Sequence, residues 1–403
     1  MSLTPVHVAL QALLESVPGT TPAETLPLSQ CAGRVLATDV AALRTQPPFA
    51  NSAMDGFAAR AADLVPGQDL RVIGESAAGR GFSGKIGPGE TVRIFTGAPI
   101  PEGADAILIQ EHADGVGGPV IRVTQPAAQG RFIRPAGLDF ETGEILLTAG
   151  RRLDSAALGL AAAAGHPRLA VRRKPLVAIL ATGDELVLPG EAVGPDQIVA
   201  SNSFALAALI ERAGGVALDL GIARDSHEDL ARAIAAAREA RSDVLITLGG
   251  ASVGEHDLVQ AALQAQGMQL GFWKIAMRPG KPMMMGRLGE MVALGLPGNP
   301  VSSIVCGHLF AIPLVEALLG LPDPARDRSE NAILGVDLPG NDERQDYLRA
   351  TVETIDGEAR VRPFAKQDSS MLANLARAEA LVIRPVFAAP AKAGDMCRII
   401  RLR

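Results

Sequence analysis

The central part of the chain alternates short apolar runs with amphipathic segments. Runs such as PLVAILA, DVLITL and MVALGL have the length of buried strands. Between them, SFALAALIERAGG and SHEDLARAIAAAREA carry apolar residues at helical spacing, and Ser226 is predicted to cap the second of these helices. Such alternation predicts a doubly wound, mostly parallel sheet with helices on both faces.

The pattern changes on both sides of this α/β region. Short β-like runs such as TVRIF, AILIQ and VIRV precede it, and YLRATVETI and ALVIRPVF follow it. The fold class is therefore multidomain α/β plus β. We predict an N-terminal helical and β linker domain (1–45 and 141–173), a β-rich lobe (46–140), the α/β domain (174–325) and a small C-terminal β barrel (326–403).

Two helices are predicted around the β-rich lobe, at residues 4–17 and 154–164. In the first, Thr4 is the predicted cap and Pro5 the first helical residue, with apolar side chains on one face. The start of the chain carries no basic segment followed by an apolar one, as a signal peptide would. The apolar run LDSAALGLAAAAG is too short to span a bilayer, so no membrane association is expected.

Composition and charge restrict the possible functions. The chain has 403 residues, 48% of them hydrophobic, and a net charge of −6 without a basic face, so we expect no nucleic-acid partner. Its three cysteines are far apart and show no zinc-binding spacing. An odd number of distant cysteines argues against a disulfide framework, and a reducing cytoplasmic location is expected.

Five predicted loops follow strands of the α/β domain. In open parallel sheets, ligands bind outside the carboxyl ends of the strands, so these loops are expected to share one rim. They are TGDEL (182–186), RDS (224–226), GGASVGEHD (249–257), RPGKP (278–282) and PGNP (297–300).

The loop residues suit an anionic ligand. Glycines expose backbone N–H groups, and Arg278 and Lys281, with Lys274 nearby, can neutralise phosphate or another oxyanion. Asn299 is a predicted N-cap, and Pro300 is suited to the first position of the helix that follows. The free N–H groups behind Pro300, near Val301, are expected to attract an anion.

The same loops carry four carboxylates that would repel such an anion, namely Asp184, Glu185, Asp225 and Asp257. A Mg²⁺ ion between carboxylate and phosphate oxygens resolves this conflict, so the residues predict a metal-assisted phosphate or nucleotide site. Other roles stay open. Asp184 and Glu185 can cap a turn, Asp225 can belong to the cap of the helix at Ser226, and Lys274 can face solvent.

Eight segments together resemble the MoeA family, the molybdopterin molybdenumtransferases related to the E domain of gephyrin. They are NSAMDGFAAR, FTGAPIPEGADAI, ATGDEL, SNS, GGASVGEHD, RPGKP, GLPGNPVSS and QDSSML, in this order. The α/β region also resembles the MogA-type adenylyltransferase domain. Asp368 stands where many members have glycine, and Arg278 where lysine also occurs.

The resemblance implies insertion of molybdenum from molybdate into adenylylated molybdopterin, with Mg²⁺-dependent hydrolysis of the adenylate and release of AMP. It also implies a homodimer, in which the α/β domain of one chain and the β-rich lobe of the other form the site. A MogA-like adenylyltransferase and molybdoenzyme-specific chaperones are the implied partners. The alternatives are adenylyl transfer to molybdopterin, tungstate insertion, or a scaffold that binds cofactor without turnover.

The resemblance also implies roles for individual residues. Glu185, Asp225 and Asp257 would be the catalytic and metal-binding carboxylates, with Asp257 foremost. The implied substrate-binding residues are Asp55, Thr96, Thr182, Gly183, Asp184, Ser201, Asn202, Gly249, Gly250, Ser252, Gly254, Lys274, Arg278, Lys281, Pro297, Gly298, Asn299, Pro300, Ser302, Arg349 and Ser370.

Overall fold

A computed structural model describes residues 3–249 and 258–402 of the chain. The N-terminal part of these residues contains two α-helices, three short 3-10 helices and twelve short strands. The elements are α1 (Val6–Glu15), β1 (Ala23–Pro27), β2 (Val40–Ala41), β3 (Asn51–Ser52), β4 (Gly56–Ala59), β5 (Asp69–Ser76), β6 (Glu90–Ile94), β7 (Ala106–Ile109), β8 (Ala113–Asp114), β9 (Val120–Val123), β10 (Ile133–Arg134), β11 (Ile145–Leu147), α2 (Ser155–Ala163) and β12 (Arg168–Arg172).

Six of these strands form one sheet in the order β7-β4-β6-β5-β9-β8, which is the predicted β-rich lobe. Its core is small, with Phe57, Leu70 and Leu108 fully buried. The pairs β1–β12 and β2–β11 are antiparallel and join distant parts of the linker region. The helix predicted at 154–164 is confirmed as α2. Asp154 caps its start, since its carboxylate accepts from Ala157 N at 2.8 Å.

The predicted cap of the first helix is wrong. Pro5 occupies the N-cap position of α1, and no side chain caps this helix. Thr4 lies in an extended conformation against the central domain, where its N–H donates to Lys274 O at 2.9 Å and its carbonyl accepts from Ala276 N at 2.8 Å. Because this long-range pairing fixes the backbone of Thr4 in an extended conformation, its side chain does not cap the helix.

The central domain continues with elements from Leu176 to Leu318. They are β13 (Leu176–Thr182), β14 (Leu186–Val187), β15 (Ile198–Val199), α3 (Asn202–Ala213), β16 (Val216–Ala223), α4 (His227–Glu239), β17 (Val244–Leu248), α5 (Leu258–Ala265), β18 (Gln269–Lys274), β19 (Met277–Arg278), β20 (Pro282–Leu288), β21 (Met291–Leu296), α6 (Pro300–Cys306), a π-helical stretch (Gly307–Ala311) and α7 (Ile312–Leu318).

The central sheet has the order β16-β13-β17-β21-β20-β18. The pairs among β16, β13, β17 and β21 are parallel, and β20 and β18 add an antiparallel edge. Along β13, Val177 and Ile179 pack with α3 and α6, whereas Ala178 and Leu180 pack with α4 and α5. Because alternate residues feed two separate cores, the predicted doubly wound, mostly parallel sheet is confirmed.

Two local predictions in this domain also hold. Ser226 caps α4, accepting from Asp229 N at 3.2 Å. The sequence MMM at 283–285 also predicts core packing, and the structure agrees, since Met283 and Met285 belong to one core and Met284 belongs to the other.

The run Pro300–Leu318 is one continuous 19-residue helical segment. By length and composition it could cross a membrane, but 83% of its most apolar window is buried inside the protein. It is therefore the core helix of the central domain. Glu316 on α7 is 6% exposed and binds Arg326, at 2.7 Å, and Arg328. Burial opposes ionisation of Glu316, but the hydrogen bonds from these arginines outweigh it and lower its pKa.

The C-terminal strands close into a five-stranded barrel, as predicted. The elements are β22 (Ser329–Leu334), β23 (Gln345–Ile355), β24 (Glu358–Pro363), α8 (Leu372–Arg377), β25 (Ala380–Arg384) and β26 (Met396–Arg401). The ring runs β23-β24-β22-β26-β25 and closes through β23–β25. The apolar run LGFWKIAM (270–277) predicts a single strand, but the structure divides it, because β19 leaves the central sheet and pairs in parallel with β23 of the barrel.

Candidate functional site

A cavity of about 870 Å³ lies at the carboxyl ends of β13, β17 and β21; we call it the strand-end cavity. The starts of α3 and α6 form another part of its wall, so strand ends and helix starts meet at one rim. The lining residues include Thr182, Gly183, Glu185, Ser201, Asn202, Asp225, Gly249, Pro297, Gly298, Asn299, Pro300 and Ser370.

The acidic side of the cavity carries Glu185 and Asp225. Asp184 lies behind them, and its carboxylate accepts from Asp225 N at 3.3 Å. Partial burial, followed by the charges of Asp184 and Glu185, raises the pKa of Asp225. Three carboxylates therefore crowd one edge of the cavity, and a cation bound there would relieve their repulsion.

Backbone contact between three loops forms the floor of the cavity. Gly249 has φ = +100°, and a Cβ atom there would lie 2.8 Å from Thr182 O. A Cβ atom on Gly298 would lie 3.5 Å from Gly249 Cα. The loops after β13, β17 and β21 thus touch through main chain, which leaves no room for a side chain at Gly249.

The PGNP turn is fastened to α3 by a side chain. Asn202, the first residue of α3, donates from Nδ2 to Gly298 O at 2.6 Å. Asn299 and Pro300 take the predicted N-cap and first helical positions, but the Asn299 side chain makes no capping bond. The N–H of Val301, expected to be free for an anion, donates instead to Ser369 O at 3.1 Å.

The barrel contributes Ser370 to the cavity wall. Both Ser370 N and Ser370 Oγ donate to Asp368 Oδ1, at 2.8 and 2.6 Å. Arg349 is 1% exposed, and its Nη2 donates to Asp368 O at 3.0 Å. Neither Arg349 nor Ser302, which is 3% exposed, lies on the cavity wall.

The predicted basic residues are not gathered in this cavity. Of the RPGKP segment, only Pro282 lines it, and Lys281 is exposed. Lys274, which is partly buried, is also absent from the wall. Arg278 turns toward the barrel, where Nε donates to Asp346 Oδ1 at 2.7 Å and Nη1 to Asp342 Oδ2 at 3.0 Å.

Asp55 and Thr96 lie together in the β-rich lobe, outside the strand-end cavity. Asp55 Oδ1 accepts from Thr96 N at 2.8 Å and from Thr96 Oγ1 at 2.9 Å. These two bonds, the backbone one first, lower the pKa of Asp55. The pair therefore connects the loop at Asp55 to the loop at Thr96, a contact that the spacing in the sequence did not predict.

Four predicted residues, Gly250, Ser252, Gly254 and Asp257, lie outside the described residues. Within residues 3–249 and 258–402, no group of three or more His, Cys, Asp or Glu side chains is arranged to hold a metal ion. Glu185 and Asp225 are the two predicted metal ligands that the described part of the chain brings to the cavity.

An apolar wall was missed by the sequence reasoning. Leu186, Ile198 and Val199 line the cavity, and Ile198 is 58% exposed. They belong to β14 and β15, a short parallel pair in the excursion between β13 and α3. The signal available was the apolar pair Ile198–Val199 immediately before the SNS segment.

These features define a multidomain α/β protein with a ligand cavity at the strand ends of its central domain. Residues 4–165 match the MoeA N-terminal region (domain I and II), 178–317 match a probable molybdopterin binding domain, and 331–402 match the MoeA C-terminal region (domain IV). The chain belongs to the MoeA family of molybdopterin molybdenumtransferases, and it is thus a transferase of molybdenum cofactor biosynthesis.

Relatives match over most of their length. The chain is 34% identical over 376 residues to a molybdopterin molybdenumtransferase of Haemophilus influenzae, covering 93% of each protein. It is 36% identical over 387 residues to molybdopterin molybdenumtransferase 2 of Mycobacterium tuberculosis, covering 93% of this chain and 94% of that one. The molybdopterin biosynthesis MoeA protein of Pyrococcus horikoshii superimposes with a TM-score of 0.84 at 28% identity, covering 99% of both chains.

Proposed function

We propose that this chain inserts molybdenum from molybdate into adenylylated molybdopterin and hydrolyses the adenylate, releasing AMP. The strand-end cavity carries this proposal, because Glu185 and Asp225 stand there beside a proline-stiffened helix start. Its volume of about 870 Å³ suits a nucleotide-sized ligand. The transferase relatives support the reaction class.

We assign Mg²⁺ to Glu185 and Asp225, with Asp257, outside the described residues, as the third ligand. The crowding that raises the pKa of Asp225 fits this assignment, because carboxylate oxygens are ligands that Mg²⁺ prefers. Bound there, Mg²⁺ would neutralise phosphate oxygens at the bond to be hydrolysed. Asp257 is assigned to orient the attacking water.

The remaining residues bind and position the substrate. Gly183, Gly249 and Gly298 present backbone to it at the cavity floor, and Asn202 holds the PGNP turn in place. Ser370 lines the cavity, and Arg349 is connected to it indirectly through Asp368. Of the predicted oxyanion-binding residues Lys274, Lys281, Ser302, Arg349 and Ser370, only Ser370 lines the strand-end cavity, so it is the one assigned to contact molybdate there. Within one chain, the ion pairs of Arg278 keep it out of this cavity.

The active form is proposed to be a cytoplasmic homodimer. Asp55 and Thr96 lie in the β-rich lobe, outside the strand-end cavity of their own chain, so a second copy would bring them to the site. A MogA-like adenylyltransferase would supply the substrate, and molybdoenzyme-specific chaperones would accept the product. Light scattering coupled to size exclusion gives the mass in solution; a monomer that is fully active would contradict the dimer.

The test is incubation of the purified chain with adenylylated molybdopterin, Mg²⁺ and either molybdate or tungstate, followed by measurement of AMP and of cofactor-bound metal. Asp225→Asn should lower AMP release by about a hundredfold, because it removes a charge from the site of hydrolysis. Asp196→Asn is the matched control, since Asp196 is an exposed acid of the same excursion outside the cavity.

The outcomes separate the candidate functions. Metal insertion with AMP release by the wild-type chain, lost in Asp225→Asn and kept in Asp196→Asn, supports the proposal. Adenylylation of free molybdopterin without metal insertion points to adenylyl transfer, and preference for tungstate changes the substrate. Tight binding of substrate with no AMP formed indicates a scaffold.

A further inference from the structure

A second cavity, of about 750 Å³, lies against the C-terminal barrel; we call it the barrel cavity. The 336–341 segment forms one side, and strands β23 and β24 form the other. Its apolar wall includes Leu338, Leu348, Pro363 and Phe364. A cavity of this volume is large enough to enclose much of a small organic molecule.

Three arginines, Arg278, Arg362 and Arg384, also line the barrel cavity, together with two acids, Asp337 and Asp346. Both acids have partners. Asp346 is engaged by Arg278, with a 2.7 Å bond from Nε to Oδ1, and Asp337 binds Lys392 at 2.8 Å. Neither acid forms an ion pair with Arg362 or Arg384, although Asp346 lies directly opposite Arg384 on the neighbouring strand.

Arg384 is the more unusual of the two. It is only 9% exposed, and its Nη2 donates to the carbonyl oxygens of Pro339, at 3.0 Å, and Ala389, at 2.6 Å. In the described parts of the chain, no carboxylate forms an ion pair with it. Its cross-strand neighbour Asp346 is already bound by Arg278, so carbonyl oxygens are the direct partners of the guanidinium among the described residues, and an anion beside it is favoured.

Arg362 brings a second positive charge to the same wall. It follows the buried Val361 on β24, and its strand partner Thr351 also lines the cavity. Its side chain makes no ion pair with another described residue. The barrel cavity thus has two arginines whose N–H groups can donate hydrogen bonds to an oxyanion.

We propose that the barrel cavity binds a small organic monoanion in which a carboxylate is attached to an apolar group. The carboxylate would lie against Arg384 and Arg362, and the apolar group against Leu338 and Phe364. A single negative charge is assigned because the three arginines of the wall exceed its two acids by one positive charge. This site is separate from the strand-end cavity and does not depend on the proposed reaction.

The test is a calorimetric titration of the full chain with 4-phenylbutyrate. Its neutral analogue 4-phenyl-1-butanol and the dianion phenyl phosphate are titrated in parallel. Saturable binding of one phenylbutyrate per chain, weaker for both other probes by about tenfold, is expected because a charged hydrogen bond contributes on that scale. No saturation at about 10 mM overturns the proposal. Alcohol that binds equally well removes the charge requirement, and tighter phenyl phosphate overturns the carboxylate assignment.

Variants locate the binding. Arg384→Met should weaken phenylbutyrate binding by about tenfold or more, and Arg362→Met by about fivefold. Arg360→Met is the matched control, because Arg360 is an exposed arginine of the same strand that does not line the cavity. If Arg384→Met fails to fold, as its unfolding temperature would report, Arg362→Met decides. Binding unchanged in every folded arginine variant of the wall overturns the assignment.

Discussion

We predict that His308 makes the core helix of the central domain sensitive to acid. It lies in the π-helical stretch behind the PGNP turn and is largely shielded from solvent. Burial, followed by the charges of Arg212 and Arg328, lowers the pKa of His308 from its ordinary 6.5 to about 4. The folded chain therefore holds this imidazole neutral at a pH where the unfolded chain protonates it.

The sign and the size follow from proton linkage. The unfolded state binds the proton below pH 6.5 and the folded state only near pH 4, so the stability from the neutral ring is complete above pH 6.5. It is lost as the pH falls through this window. The two values give a loss of about 2 kcal/mol at pH 5, rising to about 3 kcal/mol at pH 4.

Amide hydrogen exchange in residues 300–318, corrected for the intrinsic effect of pH, measures the opening free energy of this helix. Between pH 7 and pH 5, the wild-type chain should lose about 2 kcal/mol more than His308→Gln, which cannot titrate. The carboxylates common to both chains cancel in this difference. His227→Gln is the control, since His227 is exposed on α4. An equal loss in wild type and His308→Gln would refute the reasoning.

Three further substitutions test the packing around the site. Glu316→Gln should destabilise the chain by about 2 kcal/mol in thermal unfolding at pH 7, because its two arginine partners lose a counter-charge. In the wild-type chain, the stability that ionised Glu316 contributes should disappear as the pH falls through its lowered pKa. An unfolding midpoint that Glu316→Gln leaves unchanged at pH 7 would contradict the prediction. Gly249→Ala should cost about 2 kcal/mol and most of the activity, since its Cβ would lie 2.8 Å from Thr182 O; wild-type turnover would show that the floor yields. Asn202→Ala should lower kcat more than it raises KM by freeing Gly298, whereas Asn202→Asp keeps the size but not the donor and should not restore turnover.

Local signals predicted the elements well. The cap at Ser226, the helix at α2 and the turn at Pro300 each depend on a few neighbouring residues, and all three are confirmed. The continuous apolar run of β13 likewise requires two helix-covered faces, which the structure shows. The boundaries assigned to the four domains stay predictions.

Long-range contacts account for the failures. Thr4 has a good local capping context, but its backbone pairs with Lys274 and Ala276. Arg278 is predicted to lie beside an oxyanion at the strand ends, but the carboxylate of Asp346, 68 residues further along the chain, binds it instead. The N–H of Val301 is likewise taken by Ser369. In each case the competing partner lies far away in the sequence, so neither the spacing nor the residue types predict the contact.

The placement of β19 ties the barrel mechanically to the central domain. This two-residue strand lies between Lys274 and Lys281 in the chain but pairs with β23, so the lysine-bearing segment is clamped by the barrel. A swing of the barrel would pull the segment with it and carry Ser370 away from the cavity at the same time. If the barrel moved relative to the central domain, the segment with Lys274 and Lys281 and the side chain of Ser370 would therefore move together.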